Sequence, residues 1–425
     1  MQSNRVPKII QWWVTPKLPV EDIFDMPLLM DKSFLGKLTH LISHWLIHPI
    51  KRRLARWYLL ALQRFTDIKV IGVTGSAGKS TTAQMMASVL KYKGKTLATP
   101  PSIDPIYNVP NTILKTKPGT KFLILEMSVE YPGEMDYYLW LAKPQVGVIT
   151  NIYPTHTQFF GDEKGVAQEK SKLIYSLESR GIAVLNKENK YSEGIAAKTK
   201  AKVIWFGKNG LIFADKIVQN GLLGSKFTLN INKNTINVQL PIIGSQYVSN
   251  AMAAASVGHI LGASLVEIKK GLESFSVPEH RMKVIKLTSG CTLIDDSYSN
   301  NPQAAKETLK AFNELNGHKK KTVVFGDMLE LGSLEESSHK EIGEIIASMK
   351  TSHLIAIGKA SRVIFDVVAE RLGERNVDWF PTWKEAVIPL KLLLKKDVIV
   401  LIKGSRSIHL ENLVDDIINL ARKKI

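Results

Sequence analysis

Val70-Ile71-Gly72-Val73-Thr74-Gly75-Ser76-Ala77-Gly78-Lys79-Ser80-Thr81-Thr82 decides how the rest of the chain is read. The apolar run from Ile68 to Val73 has the length of a buried strand, and Thr81 to Leu90 has the character of a helix. A glycine-containing turn ending in Gly-Lys-Ser joins them. That order builds a phosphate cradle: backbone N–H groups and a helix N-terminus face an anion, Lys79 reaches the terminal phosphates, and Ser80 can hold Mg²⁺. Thr74, Gly75, Ser76, Ala77, Gly78, Lys79, Ser80 and Thr81 are therefore the expected nucleotide contacts. The longer motif asks for glycine where Val73 stands, so the match is to the shorter Gly-x-x-Gly-Lys-Ser. An ordinary Gly/Ser turn is the competing reading.

With 425 residues the chain has room for two or three domains and an ample core. Its 44% hydrophobic and 23% charged residues are those of an ordinary globular protein. Cys291 is the single cysteine, which excludes a disulfide framework and a cysteine-based zinc site and fits a reducing cytosol. The N-terminus carries Trp12, Trp13, prolines and acids instead of a clean apolar core, so no signal peptide is read there. No apolar run approaches the roughly 20 residues that span a bilayer. A cytoplasmic protein is expected.

The net charge of +18 points to an anionic partner: nucleic acid, a membrane surface or a polyanionic substrate. No patterned RNA- or DNA-binding module is present, so nucleic acid is not expected. The charge is uneven. Between Lys32 and Thr66 there is no Asp or Glu, while Lys32, Lys37, Lys51, Arg52, Arg53, Arg56 and Arg64 all fall there. Residues 1–66 thus read as a basic, aromatic, helical segment. Phe34, Leu35, Leu38, Leu41, Ile42, Trp45 and Leu46 recur at helical spacing, Arg53 to Phe65 forms a second helix, and Pro49 divides the two. Either both helices dock on the next domain, or they present an amphipathic, Trp-rich surface that places the protein peripherally on anionic lipid.

Downstream, the fold class is α/β. From 67 to 277 apolar strands alternate with helices, as in a P-loop ATPase domain with a mostly parallel sheet. The pattern turns antiparallel around Ile204 to Leu240, and Gly244 to Leu261 is an alanine-rich helix. Val277 to His280 reads as a linker. A second, Rossmann-like α/β domain then occupies 278–425, with strands at Thr292 to Asp295, Thr322 to Phe325, Leu354 to Ile357 and Val398 to Ile402. Parallel sheets deliver chemistry at the carboxyl ends of their strands. Glu126 closes one strand, His156 follows another, and Lys170 lies on the next helix. A carboxylate, an imidazole and the cradle serine can serve Mg²⁺. Taken singly, each is as readily a helix cap, a loop hydrogen-bonder or a solvated charge.

Together with their flanks these residues resemble the Mur ligase family of ATP-dependent amide-forming enzymes. The likeness is carried by Gly75 to Thr82, Leu125-Glu126-Met127 with Pro132-Gly133-Glu134, Asn151 to His156, and Glu169-Lys170. In the C-terminal half, Asp295-Asp296-Ser297-Tyr298-Ser299-Asn300-Asn301-Pro302, Gly326-Asp327-Met328-Leu329-Glu330-Leu331-Gly332 and Lys403-Gly404-Ser405-Arg406 look like signatures of the branch that adds D-alanyl-D-alanine. The resemblance covers Ile68 to the C-terminus. It implies a monomer that uses ATP and Mg²⁺ to activate a muramyl-peptide carboxylate as an acyl phosphate, which a D-Ala-D-Ala-like amine then attacks. It also implies roles. Lys79, Lys170 and His156 would be catalytic, and Ser80, Glu126, His156 and a carbamylated Lys170 would serve the metal ions. Asn250, Arg281 and Asp296 would reach ATP. Asn300, Asn301, Lys403, Ser405 and Arg406 would hold the incoming dipeptide. Three departures stand out: only about 66 residues precede the cradle, Asp104 to Pro110 replaces the family's Asn-Asn-Glu run, and Gln246-Tyr247 replaces its His-Asn. They leave the acceptor open to a lipid-linked or other form without UDP, and a sister amino-acid ligase is the alternative activity.

Overall fold

The computed structural model describes residues 9, 12–13, 17–19, 42–101, 103–315 and 320–422. Its chain forms two α/β units, each built on one sheet. The first sheet contains β1 (Lys69–Thr74), β2 (Thr96–Ala98), β3 (Phe122–Glu126), β4 (Val146–Ile149), β5 (Ile182–Asn186), β6 (Lys202–Phe206), β7 (Ile212–Gln219), β8 (Ser225–Ile231) and β9 (Asn234–Leu240). Their order is β2-β3-β1-β4-β5-β6-β7-β8-β9. Pairing is parallel as far as β7 and antiparallel beyond it. β3 and β4 are buried along their whole length and β1 along all but its first residue, as helices on both faces of a parallel sheet require. β7, paired antiparallel with β8, leaves most of its residues exposed or half-exposed.

The second sheet contains β10 (Lys283–Lys286), β11 (Thr292–Asp296), β12 (Lys320–Gly326), β13 (Thr351–Ile357), β14 (Val377–Phe380) and β15 (Val398–Lys403), ordered β10-β11-β15-β12-β13-β14. Only the β10–β11 pair is antiparallel. The four strands expected here are all present, and β10 and β14 add one at each edge. Both edge strands are short and mostly half-exposed, so they lack the continuous apolar run that marks a central strand.

At the N-terminal side the structure corrects the reading of Pro49. Ser43–Ile47 winds as a π-helix straight into the helix His48–Phe65, and Pro49 sits in that helix's first turn. The helix runs through the proline because the carbonyl of Trp45, which lacks a donor from Pro49, accepts instead from Trp13 Nε1 at 2.6 Å. Residues 32–41 of the expected first helix lie outside the described residues. The helix His48–Phe65 docks on the first unit through Arg52, Ala55, Leu59 and Leu62. Arg52, only 1% exposed, lies over the rings of Tyr107 and Tyr137. Arg56 lies over Trp140, and the Tyr58 hydroxyl donates to the Thr116 carbonyl at 2.5 Å.

Candidate active site

β1, β3 and β4 run parallel and in register, so their carboxyl ends share one edge. At that edge the chain leaves β1 at Thr74, turns through Gly75 to Gly78 and enters the helix Lys79–Leu90. Gly75 has φ +147°, and a Cβ there would stand 2.0 Å from the Thr150 hydroxyl oxygen. Only glycine lets the turn approach the loop after β4 so closely. That loop holds the turn by several bonds. The Ser76 amide donates to the Asn151 carbonyl at 2.9 Å and the Ala77 amide to Asn151 Oδ1 at 2.9 Å. The Ser76 hydroxyl donates to the Tyr153 carbonyl at 2.9 Å, and Thr150 Oγ1 donates to the Ala77 carbonyl at 2.7 Å. Gly78, at φ +77°, precedes the helix and packs against the Asn250 side chain. The hydroxyls of Thr74 and Thr81 are buried without a hydrogen-bond partner. The cradle is thus shaped in advance and has bonding capacity to spare.

Glu126, the last residue of β3, lies opposite Val73 of β1 and lines the cleft in front of the cradle. Lys79 lines it too. Loss of water around its ammonium lowers its pKa, Glu126 and Glu130 raise it, and Arg281 lowers it further. Lys170, on the helix Glu163–Tyr175, is 1% exposed and is not among the cleft-lining residues. Burial first, and the positive charge of Lys79 second, bring its pKa down to about 7 against the attraction of Glu134, Glu169 and Glu130. A lysine in this state carries a substantial neutral-amine fraction near neutral pH. Neighbouring Glu169 is engaged elsewhere, accepting from the Met135 amide at 2.9 Å and pairing with Lys172 at 2.8 Å.

The carboxyl ends of the second sheet face the same cleft, whose volume is about 490 Å³. Asp296 and Lys403 are register partners at the ends of β11 and β15. Their side chains form a buried ion pair at 2.8 Å, in which Lys403 also donates to the Ser299 carbonyl at 2.8 Å. Asp296 further accepts from Thr308 Oγ1 at 2.9 Å and from the Met282 amide at 3.2 Å. Arg281 reaches across the units to Ser80 Oγ at 3.3 Å. Tyr298, which the sequence marks only as part of a longer signature, lies between two guanidiniums. Arg281 is 4.5 Å and Arg406 5.0 Å from its ring, and Arg406 donates to its hydroxyl at 2.8 Å. Asn301 caps the helix Pro302–Asn313 by accepting from the Ala304 amide at 2.9 Å. Asn300 donates to the Gly326 carbonyl at 3.1 Å, and its Oδ1 is buried without a partner. Ser405 Oγ accepts from the Leu329 amide at 3.1 Å.

His156 stands at φ +53° and bonds Glu330, itself at φ +64°, across the two units. Around that contact the Gln158 amide donates to the Glu330 carbonyl at 3.4 Å and Thr157 Oγ1 donates to the Leu331 carbonyl at 3.2 Å. Ser80, Glu126 and His156 therefore line one cleft, with Ser80 and His156 each engaged by the second unit and Lys170 behind them. Among the described residues no group of three or more His, Cys, Asp or Glu side chains is gathered for a metal ion. Glu130, also in the cleft, was not singled out from the sequence. Burial raises its pKa, His156 lowers it, and Glu330 and Asp104 raise it again.

Comparison with known proteins agrees with this geometry. Residues 73–258 match the Mur ligase middle domain and residues 280–406 match the Mur ligase, glutamate ligase domain. The UDP-N-acetylmuramoyl-tripeptide–D-alanyl-D-alanine ligase of Buchnera aphidicola subsp. Baizongia pistaciae is 34% identical over 83% of this chain and 76% of its own. The enzyme of that name from Bacillus subtilis is 32% identical over 86% of this chain and 79% of its own. A crystal structure of MurF from Acinetobacter baumannii superposes with a TM-score of 0.78 at 28% identity, covering 87% of this chain and 80% of that one.

Proposed function

Because the chain belongs to the Mur ligase family, we propose that its cleft joins D-alanyl-D-alanine, or a similar amine, to the peptide carboxylate of a muramyl-peptide acceptor at the expense of ATP. The observation that carries this reading is the convergence of two sets of strand ends on one cleft. The first sheet brings a phosphate cradle and a carboxylate; the second brings arginines and a lysine suited to anionic substrates. The acceptor carboxylate takes up a phosphoryl group from ATP, the amine displaces phosphate from the resulting acyl phosphate, and an amide bond forms.

Thr74 to Thr81 hold the phosphates, with Asn250 supporting the turn from behind. Lys79 neutralises charge as the phosphoryl group moves. Ser80 and Glu126 are the residues that would hold one Mg²⁺, and His156 with a carbamylated Lys170 would serve a second. Bound Mg²⁺ supplies charge neutralisation on the phosphate oxygens. Carbamylation suits Lys170 because the neutral amine, not the ammonium, adds to CO₂. The product is an anion where a buried cation stood. Arg281 contacts nucleotide from the second unit, and Asp296 aligns Lys403. Arg406, Ser405, Asn300 and Asn301 form the wall for the dipeptide, with Tyr298 orienting both arginines. Water excluded by the facing unit cannot hydrolyse the acyl phosphate. The same reading divides the chain at 66 and 277, and takes it as a monomer acting in the cytoplasm.

The test is mass spectrometry of the product, with ADP release, from ATP, Mg²⁺, D-Ala-D-Ala and a panel of UDP-linked and lipid-linked muramyl peptides. Ligation is expected with at least one acceptor and should fall by about a hundredfold or more in Lys79→Ala. Full ligation by Lys79→Ala, or no ADP release with any acceptor, would sink the proposal.

A further inference from the structure

The helix His48–Phe65 has a second face that is largely exposed among the described residues. Its inward side is held by Arg52, Ala55, Leu59 and Leu62. On the outward side stand Ile47, Ile50, Leu54, Trp57 and Phe65, with Ala61 completing the i, i+3, i+4 spacing. These are large apolar side chains left in solvent: Ile50 is 41% exposed, Leu54 56%, Trp57 68% and Phe65 81%. One turn upstream, Ile42 and Leu46 are exposed as well. The ridge is about 27 Å long at 1.5 Å per residue. Lys51 borders it on one side and Arg53 and Arg64 on the other, and no acidic residue occurs between 32 and 66. Arg53 is fixed in place, donating to the Trp13 carbonyl at 2.7 Å.

We propose that this ridge is a membrane-docking face that seats the protein on an anionic lipid bilayer. An apolar stripe containing tryptophan, bordered by lysine and arginine and lying along one rigid helix, matches the interfacial zone of a bilayer: side chains enter the acyl boundary while the basic rim meets lipid phosphates. The contact is peripheral, since no helix among the described residues is long and apolar enough to cross a membrane. A second copy of the chain fits the face poorly, because a basic rim would meet a basic rim in a protein of net charge +18. The helix is pinned to the catalytic unit by Arg52, Arg56 and Tyr58, so docking would fix the whole ligase at the lipid surface and not merely tether it. This inference does not depend on the ligase reading.

The experiment is co-sedimentation of the full chain with extruded vesicles of phosphatidylcholine alone and of phosphatidylcholine with phosphatidylglycerol at about 3:1, in low and high salt. Anionic vesicles should bind at least about tenfold more tightly than neutral ones, and high salt should weaken the binding. Leu54→Gln/Trp57→Gln changes side chains that are mostly exposed and should keep the circular dichroism spectrum and melting temperature. It should lose about tenfold or more of the vesicle affinity. Lys51→Gln/Arg64→Gln, leaving the apolar ridge intact, should lose most of the preference for anionic lipid. The proposal is overturned if the parent chain does not bind anionic vesicles, or if the folded Leu54→Gln/Trp57→Gln variant binds them equally. It is also overturned if sedimentation velocity shows a dimer that this variant dissolves, since a second copy would then own the face.

Discussion

Lys170 offers a perturbation whose size follows from its surroundings. Replacing it by methionine keeps the length of the side chain and removes the charge. In the unfolded chain a lysine titrates near 10.5, whereas in the fold Lys170 titrates at about 7 because burial and Lys79 oppose its ammonium. The unfolded state therefore binds more protons across that window, so the contribution of Lys170 to stability rises as pH rises from about 7 toward 10.5 and is least favourable below 7. At about 1.4 kcal/mol per pH unit, the full gap corresponds to about 5 kcal/mol. Lys170→Met should thus be several kcal/mol more stable than the parent at neutral pH, with the advantage closing toward pH 10, while ligation is lost. The assay is urea unfolding of both proteins across this range in buffers stripped of CO₂. Adding bicarbonate should then stabilise only the parent, since its neutral amine can be converted to a carbamate, and ¹³C-labelled bicarbonate should give a carbamate resonance absent from the variant. Parallel stability curves for the two proteins would refute the buried neutral lysine, and with it the physical basis for carbamylation.

Other expectations concern the cradle and the second unit. Gly75→Ala forces a methyl group against Thr150 at a left-handed φ, so it should cost about 2–3 kcal/mol and abolish the ATP-induced rise in melting temperature. Lys403→Ala strands the buried Asp296 carboxylate and should lower stability by about 3–5 kcal/mol in urea unfolding. Arg406→Ala, on the exposed side of Tyr298, should change stability by less than about 1 kcal/mol while raising the KM for the amine. His156→Ala and Glu330→Ala should each loosen the contact between the units and raise the radius of gyration in small-angle X-ray scattering. The double substitution should add little beyond either one, because both remove the same bond.

The parts of this molecule that the sequence makes readable are those set by local pattern. Ile68 to Thr82 announces its strand, turn and helix through apolar continuity and glycine placement, and β3 and β4 do so through unbroken apolar runs. The alignment of Glu126 with the cradle also follows, since parallel strands end together. What stayed hidden arises from pairing at a distance. Asp296 and Lys403 line the cleft as an ion pair whose partners stand 107 residues apart, a consequence of the β11–β15 register that nothing local encodes. His156 meets Glu330 across 174 residues, and both adopt left-handed backbone that neither residue type advertises. Asn301 lines the cleft and also caps the helix Pro302–Asn313, a second role that asparagine plays by the same chemistry and that the signature does not announce. Pro49 does not divide the helical run, because the carbonyl it leaves without a donor is met by Trp13, 32 residues before Trp45, and no local pattern announces that bond.

The bonds that shape the cradle also order events during synthesis. Ser76 and Ala77 depend on partners 77 and 74 residues further along, and Thr150 closes on Ala77 from 73 residues away. A growing chain that has emerged only as far as the glycines has the motif without its conformation. The turn acquires its shape once Tyr153 has left the ribosome and β4 has inserted beside β1. Nucleotide can therefore meet this shaped turn only after β4 has joined β1, so its stabilising effect on a nascent chain should begin there and not at the glycines.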